Sequence, residues 1–184
     1  MMRKLVTIDN EKGQSILLSE SQLKDPLLDP GRPGFKRFQV WLTEQTPAPL
    51  KILESEELQK QILSAPTNGS VFHIYYLPPD EKWISKIQEQ DIKSYFSSIQ
   101  AESFSLFDKG KHPYYQKSNS LEFCLILKGE VTLILDDDVV QLKQGDSVVQ
   151  KGSNHAWSNH TQHECILAIS SHNALSQNNS LINS

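Results

Sequence analysis

Between Leu121 and Gln150 the chain reads LEFCLILKGEVTLILDDDVVQLKQGDSVVQ, and no other stretch restricts its fold as tightly. Short apolar runs are broken by turn signals at Lys128-Gly129, Asp136-Asp137-Asp138 and Gln144-Gly145. The runs are too short for helices and rich in Val, Ile and Leu, so they predict strand after strand. ECILAIS, Glu164 to Ser170, predicts a final strand. Short strands at regular spacing close into a sandwich or barrel, which removes the exposed edges of a flat sheet. The expected fold class is therefore all-β, a jelly roll. The aspartates at 136–138 read as a tight hairpin tip, because they lack the ligand spacing of a calcium loop.

The first half of the chain is more mixed. Residues 3–18 predict a hairpin around Asn10-Glu11-Lys12-Gly13, and KDPLLDPGRPG at 24–34 is a Pro/Gly-rich connector. FKRFQVWLT, Phe35 to Thr43, predicts a strand with Phe38, Val40 and Leu42 on one face. Residues 44–69 fit a helix or an extended segment equally well. Gly69 to Pro79 predicts a strand stopped by its two prolines. The spacing of Ile84, Ile87, Ile92, Tyr95, Phe96 and Ile99 predicts a helix over about 82–99. This organisation divides the chain into N-terminal strands and connector (1–34), a barrel domain with a helical insertion at about 82–100 (35–170), and a polar, flexible tail (171–184).

Charge and composition narrow the partners. A net charge of -4 and a pI near 5.8, with only Arg3, Arg32 and Arg37 as arginines, leave no basic stripe for a phosphate backbone. The expectation is no nucleic-acid partner. No run approaches the roughly 18 apolar residues of a membrane span, and the opening MMRKLVTIDNEKGQ lacks the apolar core of a signal peptide. These features predict a cytoplasmic protein without a membrane partner. Cys124 and Cys165 sit in apolar runs and read as buried free thiols, a disulfide being left open by the sequence.

Two motifs carry a family resemblance. Gly110, Gln116, Ser118, Glu122 and Gly129 fall at the spacing of the first cupin motif. Gly145, Lys151, Gly152, His155 and Asn159 follow the order of the second, with the turn one residue shorter than usual. The chain thus resembles the cupins, jelly-roll (double-stranded β-helix) barrels. LPPDEKW, the predicted helix and HPYYQKSNSLEF further resemble a subgroup of small bacterial and fungal cupins whose roles are mostly unassigned. With these included, the likeness extends from about Phe35 to Ser170.

The resemblance implies where chemistry would sit. A cupin metal centre usually takes two His and a Glu from the first motif and one His from the second. Carried over by position, this assigns Glu122 and His155, while Gln116 and Ser118 stand where the other two His would be. The implied cofactor is a divalent Fe, Mn, Ni, Cu or Zn ion, or, with two ligand positions changed, none. Gln116 is a weak ligand, and His112 is the nearest substitute from the loop before it. Without a metal, Glu122 and His155 form a carboxylate–imidazole pair in which each favours the other's charged form, predicting His155 as a base near neutral pH. Tyr114, Tyr115, Trp157 and His73 are the expected substrate-binding residues. Two function classes stay open. One is an enzyme of oxygenase, isomerase, cyclase or decarboxylase type, with Glu122 and His155 catalytic on a small organic or aromatic substrate. The other is a non-catalytic domain that binds or senses a small-molecule ligand through a degenerate metal site. By the same resemblance, the N-terminal strands imply a homodimer.

Overall fold

The computed structural model describes residues 2–50, 61–107 and 110–175. In chain order the strands are β1 (Arg3–Asp9), β2 (Ser15–Gln22), β3 (Leu27–Leu28), β4 (Lys36–Thr43), β5 (Ser70–Leu77), β6 (Gln116–Lys117), β7 (Ser120–Lys128), β8 (Glu130–Ile134), β9 (Val139–Lys143), β10 (Ser147–Lys151), β11 (Asn154–Ser158) and β12 (Cys165–Asn173). The helix α1 spans Glu89–Ser98. β1 and β2 pair with each other alone. The rest form a six-stranded sheet in the order β10-β7-β12-β5-β4-β3 and a four-stranded sheet in the order β6-β11-β8-β9.

The strands expected from Leu121 to Gln150 are present as β7 to β10, with turns at the places the sequence marks. Between β7 and β8 the single residue Gly129 adopts φ 78°, and a side chain there would press on the backbone of Glu164 and Cys165. Only glycine meets both conditions without strain. The hairpin over residues 3–18 also forms, with Gly13 at φ 72° in its loop.

Period-two alternation divides each strand of the six-stranded sheet between two faces. Phe35, Leu77, Cys124, Ile126, Leu167 and Ile169 join Val131 of the opposite sheet in the main buried cluster, the barrel interior. Ile74, Ile166 and Ala168 point the other way and are covered by Met2, Leu23, Phe38, Val40, Phe72, Tyr76 and Leu127. β4 and β5 are thus covered on both faces, which determines where their polar residues must go.

The helix differs from its expectation. Asp80–Lys82 makes one 3₁₀ turn, and α1 begins only at Glu89, where the Gln88 N–H donates to Asp91 Oδ2 at 2.9 Å. That local acceptor sets the helix start. Trp83 and Ile87 continue the apolar spacing outside the helix and still join the main cluster, with Ile92, Tyr95, Phe96 and Ile99. The last strand also runs further than expected: Ser171, His172 and Asn173 pair with Glu122, Leu121 and Ser120. Residues 51–60, within the ambiguous segment, and the tail from 176 lie outside the described residues. Cys124 and Cys165 are both free and buried. No helix among the described residues is long and apolar enough to cross a membrane.

Candidate functional site

The inner face of the six-stranded sheet can be read rung by rung from its register. Opposite residues of an antiparallel pair project to the same face. One rung holds Gln150, Glu122, Ser171 and Val71; the next holds Val148, Cys124, Ile169, His73 and Gln39; the third holds Ile126, Leu167, Tyr75 and Arg37. Glu122, Gln150, Ser171, His73 and Arg37 are all buried. Each rung of the barrel interior therefore carries at least one buried polar group: Gln150, Glu122 and Ser171 on the first, His73 on the second and Arg37 on the third.

Across the barrel, β11 supplies His155, only 1% exposed, directly opposite Gln116 of β6. The His155 Nδ1 lies 3.0 Å from the Ser153 carbonyl, and Nε2 lies 3.3 Å from the Gln116 amide nitrogen. One tautomer satisfies both contacts: Nδ1–H donates to Ser153 O, and Nε2 accepts from Gln116. Glu122 accepts from Ser171 Oγ at 3.2 Å. Burial lowers the pKa of His155, while the Glu122 charge and the Ser153 carbonyl oppose it without prevailing. The expectation that Glu122 raises the charged population of His155 is corrected here, because desolvation of the imidazolium outweighs attraction to the carboxylate.

The residues do not fit a first-row metal centre. Gln116 and Ser118 offer no imidazole, and the His155 nitrogen that would face an ion already accepts from an amide. Ser118 Oγ instead accepts from the Ser120 N–H at 3.2 Å. Among the described residues no group of three His, Cys, Asp or Glu is placed to hold an ion.

His112 does not take the missing place. Its Nδ1 accepts from the Tyr114 N–H at 3.1 Å, and its Nε2 lies 3.6 Å from Asp80 Oδ2, which receives the Ser158 hydroxyl. Trp83 stands edge-on to its ring at 5.7 Å. His112 thus ties the inserted segment to the barrel wall. Tyr114 Oη donates to Asp29 Oδ2 and Tyr115 Oη donates to Asp136 Oδ1, so both hydroxyls already have carboxylate partners. Trp157 does share the His155 face, with ring centroids 6.1 Å apart. With Tyr75, Tyr95, Tyr114 and Gln116 it lines a small cavity of about 40 Å³.

His73 lies where alternation placed it, on the interior face and fully buried. Both ring nitrogens lack hydrogen-bond partners among the described residues. Burial first, then the Arg37 charge, hold its pKa well below 6.5, with an Ile62 backbone contact opposing. The folded state therefore stays neutral while the unfolded chain protonates below about pH 6.5. Because the unfolded state binds the extra proton, stability falls as pH falls through that range. Between pH 7 and pH 5, urea unfolding should show the wild type losing up to about 2 kcal/mol more than His73→Leu. Parallel pH dependence in the two proteins would contradict this assignment.

The two residues that sequence reasoning missed are Arg37 and Gln150. For Arg37 a signal existed: it occupies the phase opposite Phe38 and Val40 in an alternating strand.

Similarity to known proteins agrees with the geometry. Residues 107–170 match the cupin domain family model. That segment is a cupin domain. Two curated relatives of this cupin are the phomopsin biosynthesis cluster proteins C' and D of Diaporthe leptostromiformis, each 37% identical over 51 residues. The match spans 27% of this cupin and only 27% of either relative. Among solved structures, the Schizosaccharomyces pombe Cnp3 cupin domain is similar at TM-score 0.43 and 6% identity, over 94% of this cupin and 88% of that chain. A cupin 2 conserved barrel domain protein from Salinispora arenicola is similar at TM-score 0.38 and 10% identity, over 84% and 92% of the two chains. The DMSP lyase DddQ from Ruegeria pomeroyi is similar at TM-score 0.36 and 14% identity, over 59% of this cupin and 40% of that chain.

Proposed function

We propose that this cupin binds a small organic molecule inside its barrel without a first-row metal held at the motif positions. The observation that carries the reading is the Gln116–His155 contact, which occupies the imidazole nitrogen a metal would need. The buried polar groups of the inner rungs support it, since a purely structural core of this kind would be apolar or fully hydrogen-bonded. The curated relatives are named for a biosynthesis cluster, which also favours small-molecule chemistry. We extend the proposal to a homodimer, because the β1–β2 hairpin stands outside both barrel sheets and exposes Leu5, Ile16 and Leu17.

A catalytic version of the reading is favoured by one observation, a buried His155 held neutral with the Glu122 charge offsetting part of the cost of protonating it. A proton arriving on His155 Nε2 would be stabilised by that carboxylate, as an isomerase, cyclase or decarboxylase requires. The test has two arms. Metal analysis after loading with Fe(II), Mn, Ni, Cu and Zn should find less than stoichiometric metal, unchanged in His155→Ala; stoichiometric metal lost in His155→Ala would overturn the metal-independent reading. For any ligand found by thermal-shift screening, Glu122→Gln should keep affinity. If the protein is a catalyst, Glu122→Gln should also lose turnover by about 100-fold or more.

A further inference from the structure

Two arginines are buried in this barrel, and their surroundings differ. The Arg32 Nε donates to Asp29 Oδ2 at 2.7 Å, and its guanidinium lies 3.5 Å, 3.9 Å and 4.9 Å from the ring centroids of Tyr114, Phe35 and Tyr95. It has a counter-ion and three aromatic faces. Arg37 is 0% exposed, and its Nε, Nη1 and Nη2 have no hydrogen-bond partner among the described residues. It lies against the Tyr75 hydroxyl and feels His73, but neither is an anion. An uncompensated buried guanidinium costs several kcal/mol. A chain that compensates Arg32 so fully has a reason to leave Arg37 open.

We infer that Arg37 is the anchor for a monocarboxylate group on the small molecule that occupies the barrel. The inference rests on the pocket reading above and names its ligand class. A guanidinium fork matches the two oxygens of a carboxylate with parallel hydrogen bonds. Two further orphaned side-chain nitrogens of the inner wall are donors, Gln150 Nε2 and Trp157 Nε1, and neutral His73 leaves one donor and one acceptor nitrogen without a partner among the described residues. Tyr75, against which Arg37 lies, lines with Trp157 and the already paired Arg32 a neighbouring cavity of about 40 Å³, a volume that suits a compact group. Charge balance points to a monoanion. His73 is neutral beside Arg37, so the guanidinium is the cation available there. The Glu122 carboxylate, whose charge also reaches the Tyr75 hydroxyl, would repel a doubly charged phosphate.

The experiment compares acids with their neutral amides in the full chain. Acetate, lactate and benzoate are titrated against acetamide, lactamide and benzamide by calorimetry and thermal shift. The expected result is an acid bound roughly 10- to 100-fold more tightly than its amide by the wild type. Arg37→Met should abolish that preference while the melting temperature holds or rises, since an apolar side chain replaces an unpaired buried charge. Arg37→Lys keeps the charge but loses the fork, so a preference reduced by about 10-fold is expected; should the Met variant fail to fold, this variant decides. Equal binding of acid and amide, or an acid preference unchanged in Arg37→Met or Arg37→Lys, overturns the anchor. If amides bind, the pocket stands and the anchor alone falls. If none of the six compounds binds or shifts the melting temperature, both fall.

Discussion

Replacing Gln116 with histidine is expected to turn the barrel into a stoichiometric binder of first-row metals. Gln116 and His155 are directly opposite on β6 and β11. Antiparallel partners hold their Cβ atoms about 4.5–5.5 Å apart, which lets two imidazoles share one ion. Glu122, whose charge reaches His155 from β7, completes two imidazoles and a carboxylate, a set suited to Fe(II) and its neighbours. The same substitution removes the amide that now occupies His155 Nε2. Even an outer-shell partner contributes roughly 10- to 100-fold in metal affinity, so a direct ligand should contribute more. Titration of Zn and Mn into Gln116→His, with Gln116→His/His155→Ala as control, checks this. Affinity equal to wild type would mean that the two side chains do not converge as described.

Asn159→Ala is expected to destabilise the fold by about 3 kcal/mol, because it strands buried backbone groups on both sides of the side chain. Asn159 is 1% exposed. Its Nδ2 donates to Leu77 O at 2.9 Å and His163 O at 2.8 Å, and its Oδ1 accepts from Thr161 N at 3.0 Å and Thr161 Oγ1 at 2.8 Å. Its own carbonyl accepts the Asp80 N–H at 2.8 Å. The side chain thus joins the end of β5 to the 159–163 loop, and the backbone of the same residue holds the start of the insertion. Asn159→Asp keeps both acceptor bonds but sets a carboxylate oxygen against the Leu77 and His163 carbonyls in a buried site, so it should cost at least as much. Urea unfolding of the three proteins measures the differences. A loss under about 1 kcal/mol in Asn159→Ala would show that the loop satisfies these groups another way.

Asn159 also shows what kind of information each level holds. Its place in a motif was legible, but its work as a joint was not, since its partner Leu77 lies far back in the chain. His112 follows the same pattern. Its sequence position made it a spare metal ligand, and the approach of Asp80, Ser158 and Trp83 made it part of the wall. Tyr114 lines the small cavity with Trp157, while Asp29 and Asp136 take the Tyr114 and Tyr115 hydroxyls, pairings that join segments remote in sequence.

Local properties of the chain, apolar runs and a glycine in a left-handed turn, were enough to place the strands from Ser120 to Lys151 and the turns between them. The resemblance to cupins, and not the local pattern, pointed to Glu122 and His155 and to Gln116 and Ser118 in place of two imidazoles. Only the tertiary structure decided the protonation of His155, the isolation of Arg37 and the true start of α1. Each depends on distances between segments remote in sequence or on one side-chain contact. The Arg37 side chain faces the barrel because its strand neighbour Phe38 packs with Val40 on the outer face against Ile74, Ile166 and Ala168. His155 is neutral because burial outweighs Glu122, a balance of desolvation against charge that exists only once the barrel has closed.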